Sequence, residues 1–181
     1  MNDILLNSAL IVFETAGLYL SIKNRGVKIV RYYTQISNII AMLSSVLYLA
    51  MGRYAAPFRY TAVCMLTMTF FVTVFVLIPM GGGFKKLMLE GNGLYHHTIC
   101  PILCFVSYVF FEPHASVWYV PVIITAVYGT VMLILNYKKV VDGPYPFLKV
   151  HEQGKKASVM WMTVLTLVIM GIALLFSFFV K

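Results

Sequence analysis

The chain has 181 residues, 61% of them hydrophobic and only 11% charged, with a mean hydropathy of +0.87. A soluble domain carries about a quarter charged residues, so a water-facing globule is excluded and most of the surface must meet lipid. The formal charge of +8 falls in short segments between apolar runs, a pattern that speaks for membrane topology and against nucleic-acid binding.

Crossing a bilayer as a helix takes about 20 mostly apolar residues. Roughly six runs qualify: residues 4–22, 33–52, 60–80, 94–111, 118–137 and 157–180. They are too long and too continuously apolar for the strands of a barrel. The expected fold is all-α: a polytopic membrane protein whose residues 1–181 form a single bundle of about six transmembrane helices.

The first run follows Asp3 without a basic leader, is interrupted by Glu14 and precedes no small-residue cleavage pattern, so a retained helix is expected rather than a signal peptide. Glu14 is the one acidic residue well inside a span. A neutral, hydrogen-bonded structural role and a role in a site are both open. The second run opens with Thr34-Gln35-Ile36-Ser37-Asn38. Thr34, Ser37 and Asn38 recur at i, i+3 and i+4 and therefore share a helix face. Such groups serve as interhelical glue as readily as chemistry, and Thr34 by itself can bond the carbonyl one turn back.

The third run ends in a Gly81-Gly82-Gly83 turn that leads to Gly93. The fourth is the shortest and carries His96, His97 and Pro101. His96, Cys100 and Cys104 repeat at i, i+4 and i+8, but no cysteine-rich motif or carboxylate cluster completes a metal site, and none is expected. Cys64, Cys100 and Cys104 all lie within spans and behave as small hydrophobes. Glu112-Pro113-His114 reads as a solvated turn, and His151 and Glu152 as surface residues. Between the last two runs, Asp142-Gly143-Pro144-Tyr145-Pro146-Phe147-Leu148 cannot continue a helix. It is either a turn that folds back onto the bundle end or a plain connector.

Of the 14 Lys and Arg, all but Arg53, Arg59 and Lys181 fall in the first, third and fifth loops. The positive-inside bias then makes these loops cytoplasmic and puts both termini on the other side. Tyr32, Tyr33, Tyr54, Tyr60, Trp118, Tyr119 and Tyr137 sit where interfacial belts place aromatics. No internal repeat is evident, which weakens an inverted-repeat transporter. The 11 methionines read as packing filler, adaptable enough to wall an acyl chain.

Thr34 lies three residues past Arg31, and His96 and His97 lie three and four past Gly93. A hydroxyl and an imidazole thus enter the bundle from the same side at similar depth. A threonine becomes a nucleophile when a base removes its proton, and histidine is the usual base near neutral pH. Ser37 or Asn38 would donate to an oxyanion or position the nucleophile.

Tyr32-Tyr33-Thr34-Gln35-Ile36-Ser37-Asn38, then His97 four residues before Pro101, then Gly143-Pro144-Tyr145-Pro146-Phe147-Leu148 occur in that order between apolar helices. The pattern resembles bacterial relatives of the androgen-induced and androgen-dependent TFPI-regulating membrane proteins, threonine-dependent hydrolases of fatty acid esters of hydroxy fatty acids. The resemblance implies a multi-pass protein of the bacterial inner membrane with a lipid or fatty-acyl ester substrate. It implies Thr34 as nucleophile and His97 as base, with His96 the alternative. The doubled histidine departs from the family pattern, and the lipid ester activity belongs to the animal branch. No nucleotide or zinc-protease motif occurs and no cofactor is expected. The rival readings are a small transporter or channel lined by Glu14, Asn38 and the histidines, and a lipid-binding protein without catalysis. Oligomeric state is open.

Overall fold

A computed structural model describes residues 1–179, all-α and strand-free over that range; Val180 and Lys181 lie outside it. Helical runs long and apolar enough to cross a membrane are Asn2–Arg31, Tyr33–Gly82, Gly91–Phe111, Tyr119–Tyr137 and Lys155–Ser177. The second is 50 residues long, more than a bilayer needs, and it folds in two at Gly52. Gly52 has φ 56°, a backbone conformation open to glycine and costly to residues with a Cβ.

The helices are α1 (Asn2–Arg25), α2 (Tyr33–Met51), α3 (Ala56–Val72, continued as a π-helix over Thr73–Gly82), α4 (Gly91–Phe111), α5 (Tyr119–Tyr137) and α6 (Lys155–Ser177). Neighbours run antiparallel. Thr69 of α3 meets Ser37 near the start of α2, while Arg59 meets Ser45 nearer its end. Likewise Asn7 of α1 meets Ser107 of α4, and Ser21 meets His96. One end of the bundle, here the basic end, gathers the loops between α1 and α2, α3 and α4, and α5 and α6: Arg25, Lys86 and Tyr145 line one cavity there.

α3 is the central helix. Its Tyr60, Val63, Cys64 and Leu66 are fully buried and pack with Leu10, Cys104, Ile169 and Phe176. α1, α5 and α6 turn Val12, Ile123, Val127, Leu167 and Leu174 outward, the apolar surface that lipid demands. Because lipid solvates these side chains as well as the core does, association rests on packing and interhelical hydrogen bonds. Gly17 shows how tight that packing is: a Cβ there would stand 2.7 Å from His96 Cε1 of α4.

Two π-helical stretches within the spans each lie at a proline. Pro79 lies inside the π-helical end of α3, and Pro101 follows the π-helical stretch Leu94–Ile99 of α4. Pro101 has no N–H for the His97 carbonyl, and the turn before it widens. The two widened stretches face each other, joined by Thr73 and His97.

Two expectations are corrected, and one left open is resolved. Tyr33 and Tyr60 are buried rather than interfacial, bonding Thr125 and the Ala173 carbonyl, whereas Tyr54, Trp118, Tyr119 and Tyr137 are exposed. Glu112 is not in a solvated turn. It is buried against Arg59, which donates to both carboxylate oxygens at 2.8 and 2.9 Å. Asn7 and Ser107 complete the same carboxylate, and Ser44 and Ser45 accept from Arg59 Nη1. Arg59 is thus no free loop charge but half of a neutralised pair. Finally, the segment Asp142–Leu148 folds back as a strap that buries Tyr145, Phe147 and Leu148, the first of the two arrangements its prolines allowed. Asn136 pins it, donating to the Val141 carbonyl at 3.1 Å and accepting from Val150 N–H at 2.8 Å.

Candidate functional site

The polar patch at the start of α2 divides in two. Ser37 donates to the Thr34 carbonyl at 2.9 Å and shares a 2.9 Å hydrogen bond with Thr69. Asn38 donates to the Thr34 carbonyl at 2.6 Å and to the His96 carbonyl at 3.4 Å. Asn38 thus spends both amide hydrogens on the Thr34 and His96 carbonyls, and Ser37 bonds the Thr34 carbonyl within α2 and Thr69 of α3.

Thr34 behaves differently. Thr15, Thr61, Thr69, Thr73, Thr125 and Thr163 all return their hydroxyls to the carbonyl one turn back. Thr34 stands in the first turn of α2 and has no such carbonyl behind it in the helix. Its Oγ1 instead lies 3.1 Å from the Tyr145 hydroxyl. Two tyrosines also satisfy the open N–H groups of this helix start: Tyr33 N–H donates to Tyr128 Oη at 3.0 Å, and Thr34 N–H to Tyr145 Oη at 3.2 Å. The exposed peptide dipoles of a helix start favour negative charge at Thr34.

The adjacent histidines part company. His96 turns to α1, where Nε2 meets Ser21 Oγ at 3.1 Å and Nδ1 stands 3.4 Å from a Glu14 carboxylate oxygen, both side chains fully buried. Glu14 therefore neighbours His96, not the cavity. His97 turns to α3, its Nδ1 2.8 Å from Thr73 Oγ1. Thr73 Oγ1 also lies 2.8 Å from the Thr69 carbonyl, so an Nδ1–H on His97 satisfies both contacts at once. That arrangement is the Nδ1–H tautomer, and Nε2 has no protein partner among the described residues.

A polar mouth of about 360 Å³ opens at the basic end, with Arg25, Gln35, Lys86, Asn92 and His97 in its walls. A narrow apolar cleft of about 40 Å³ runs inward between Met68, Val72, Phe147, Met162 and Leu165. Thr34, Leu77 and Tyr145 line both. The cleft shares Val72 and Leu165 with a lipid-facing groove of about 290 Å³ that also borders Phe75 and Trp161. Thr34 and His97 thus share one mouth, without a hydrogen bond between them. His96 does not line it.

Sequence reasoning missed Tyr145, Thr73 and Gln35. Thr69 and Thr73, one turn apart on the third run, were a readable signal, as was a tyrosine locked between two prolines. Gln35 is buried at 3% exposure, and its Oε1 has no partner. It is an amide in the cavity wall without a protein acceptor or donor among the described residues. Burial raises the Tyr145 phenol above the ordinary tyrosine range, against the smaller opposing effect of its bonds to Thr34, so it keeps its proton. Among the described residues, no three His, Cys, Asp or Glu side chains converge to hold a metal.

Chemically, the mouth offers a hydroxyl outside the helix hydrogen-bond ladder, an imidazole with a free lone pair, and an apolar cleft beside them. No family model matches the chain, and no curated protein or solved structure matches it.

Proposed function

We propose that this chain is an integral-membrane lipid ester hydrolase in which Thr34 is the nucleophile and His97 the base. The observation that carries the proposal is the position of Thr34 Oγ1 at the junction of a polar mouth and an apolar cleft. An ester linking an acyl chain to a polar head would place its carbonyl there, its first methylenes in the cleft, the rest of the chain toward the lipid-facing groove that shares Val72 and Leu165, and its head toward Arg25 and Lys86. Fatty-acyl esters such as fatty acid esters of hydroxy fatty acids have this amphiphilic form. The positive-inside bias orients the mouth to the cytoplasm, with both termini on the other side of a bacterial inner membrane.

Thr34 Oγ1 attacks the ester carbonyl while His97 Nε2 takes its proton. The tetrahedral oxyanion collapses and expels the alcohol, which receives the proton from His97. Water then enters from the mouth and loses a proton to Nε2. It attacks the acyl-threonine and releases the fatty acid, and Oγ1 is reprotonated. Thr73 holds the imidazole tautomer through both halves, a role known for the orienting partner of a catalytic histidine. Gln35, with its amide uncommitted, supplies the side-chain donor for the oxyanion that Asn38 cannot.

The test is labelling of the detergent-solubilised protein with a lipid-like fluorophosphonate, followed by peptide mass mapping. An adduct on Thr34 is expected, absent in Thr34→Ala and strongly slowed in His97→Ala. Folded protein that takes no label at Thr34 would overturn the proposal and leave transport or non-catalytic lipid binding.

A further inference from the structure

Resting on the hydrolase reading of this site, we infer that Tyr145 is a third catalytic residue: its phenolic O–H donates to Thr34 Oγ1 and stabilises the charge that develops there.

The hydrogen-bond accounting at Thr34 carries this. Tyr145 Oη accepts the Thr34 N–H at 3.2 Å, which occupies one lone pair. The only other protein atom bonded to it among the described residues is Thr34 Oγ1 at 3.1 Å. The phenol has one hydrogen, and Oγ1 is the acceptor it faces. Thr34 then keeps its own hydrogen free for the mouth, where His97 Nε2 is the unpaired acceptor. The reverse assignment would spend the Thr34 hydrogen on the phenol, leaving none for His97 Nε2, and would leave the phenol hydrogen with no protein acceptor among the described residues.

One hydroxyl therefore grips both the N–H and the Oγ1 of the same residue, fixing the threonine rotamer while polarising its oxygen. A hydrogen bond to a forming alkoxide is stronger than one to a neutral hydroxyl, so the contact favours the transition state over the ground state. The same holds in reverse when Oγ1 leaves the acyl carbon. Protons balance without Tyr145 surrendering its own. His97 takes one from Thr34 or from water and returns it to the alcohol or to Oγ1, and the burial-raised phenol only donates a hydrogen bond.

The strap is built to hold the phenol at that spot. Prolines at 144 and 146 restrict the backbone on either side. Phe147 stacks on the Tyr145 ring at 5.1 Å between centroids, and Tyr32 meets it edge-on at 5.9 Å. A mere connector has no need of a buried tyrosine directed at the first turn of α2.

Two alterations test the assignment. Tyr145→Phe keeps the ring and its stacking and removes the donor. It is expected to slow fluorophosphonate labelling of Thr34 by about 10- to 100-fold, the range for one hydrogen bond to a charged oxygen. Because the change also uncaps the Thr34 N–H, the second alteration is isosteric: 3-fluorotyrosine and 3,5-difluorotyrosine at position 145. A phenolate cannot donate, so labelling falls as pH rises through the phenol's pKa. Fluorination lowers that pKa, and the alkaline fall should move to lower pH in step with fluorine number. The titratable groups facing the phenol are Arg25, Tyr32, Tyr33, Lys86, His97 and Tyr128. None of them is altered, so their own limbs stay in place. Wild-type labelling rates in Tyr145→Phe, or an alkaline limb unmoved by fluorine, would overturn the assignment. If Thr34 takes no label whatever stands at 145, the hydrolase reading itself has failed and this inference falls with it.

Discussion

The two ends of the bundle bury polar groups in opposite ways. At the far end, Arg59 and Glu112 are both fully buried, and every oxygen of the carboxylate and every nitrogen of the guanidinium has a protein partner. Asn7 Oδ1, beside that pair, is a buried atom of the cluster left without a partner among the described residues. At the basic end, Thr34, Gln35 and His97 are nearly as buried and line a cavity, and Gln35 Oε1 and His97 Nε2 have no protein partner among the described residues. A membrane interior penalises unpaired polar groups; Asn7 Oδ1, Asn38 Oδ1 and the Glu14 oxygens are also without a hydrogen-bond partner, but among the residues with such orphaned atoms Gln35 is the one that lines the mouth.

The sharpest way to break this contrast is at the far end. Arg59→Ala leaves the Glu112 carboxylate buried and unpaired, which should cost about 3–5 kcal/mol and unfold the protein in detergent melts. Arg59→Leu combined with Glu112→Leu should recover most of that loss, as expected when an ion pair is replaced by apolar contacts. Stability equal to wild type in Arg59→Ala would show that the cluster is not what holds α2, α3 and α4 together.

Gly17→Ala comes next. Its methyl would press on His96 Cε1 at 2.7 Å and force α1 from α4, at about 1–3 kcal/mol of overpacking. A lowered melting temperature with Thr34 still labelled would separate His96 from the chemistry; an unchanged melt would mean the helices part without strain. Ser37→Ala removes a hydrogen bond between α2 and α3 and should cost about 1 kcal/mol while the label on Thr34 survives. Loss of label in folded Ser37→Ala would move Ser37 from positioning into the reaction. Smallest in stability and largest in chemistry is Thr34→Ala. It breaks no helix–helix hydrogen bond of α2, so its melt should lie within about 1 kcal/mol of wild type although labelling is lost.

Much of the fold was readable from the apolar runs. All six of them correspond to helices, with ends shifted by a few residues where Asn2 and Arg25 extend α1 and Ala56 begins α3. Glu112 was misread because a charged residue beside a proline at a run's end looks solvated. Its partner Arg59 lies on another helix, 53 positions away, and only antiparallel packing joins them. Tyr33 and Tyr60 were misplaced for the same reason: a tyrosine near a span's end is interfacial or buried according to which neighbour covers it.

By itself, the sequence determined that this is an all-α membrane protein, because hydropathy and length set what lipid will accept, and it determined which loops share an end, because basic residues cluster there. It also drew attention to Thr34 and the His96-His97 pair, since polar groups are rare in such helices. Only the tertiary structure decided which of these polar groups are satisfied. Pairing depends on distances between helices, and periodicity along one chain does not record them. That is why Ser37 and Asn38 proved committed to packing, why the two histidines face different helices, and why Tyr145, carried on a strap more than a hundred positions from Thr34, stands against its hydroxyl.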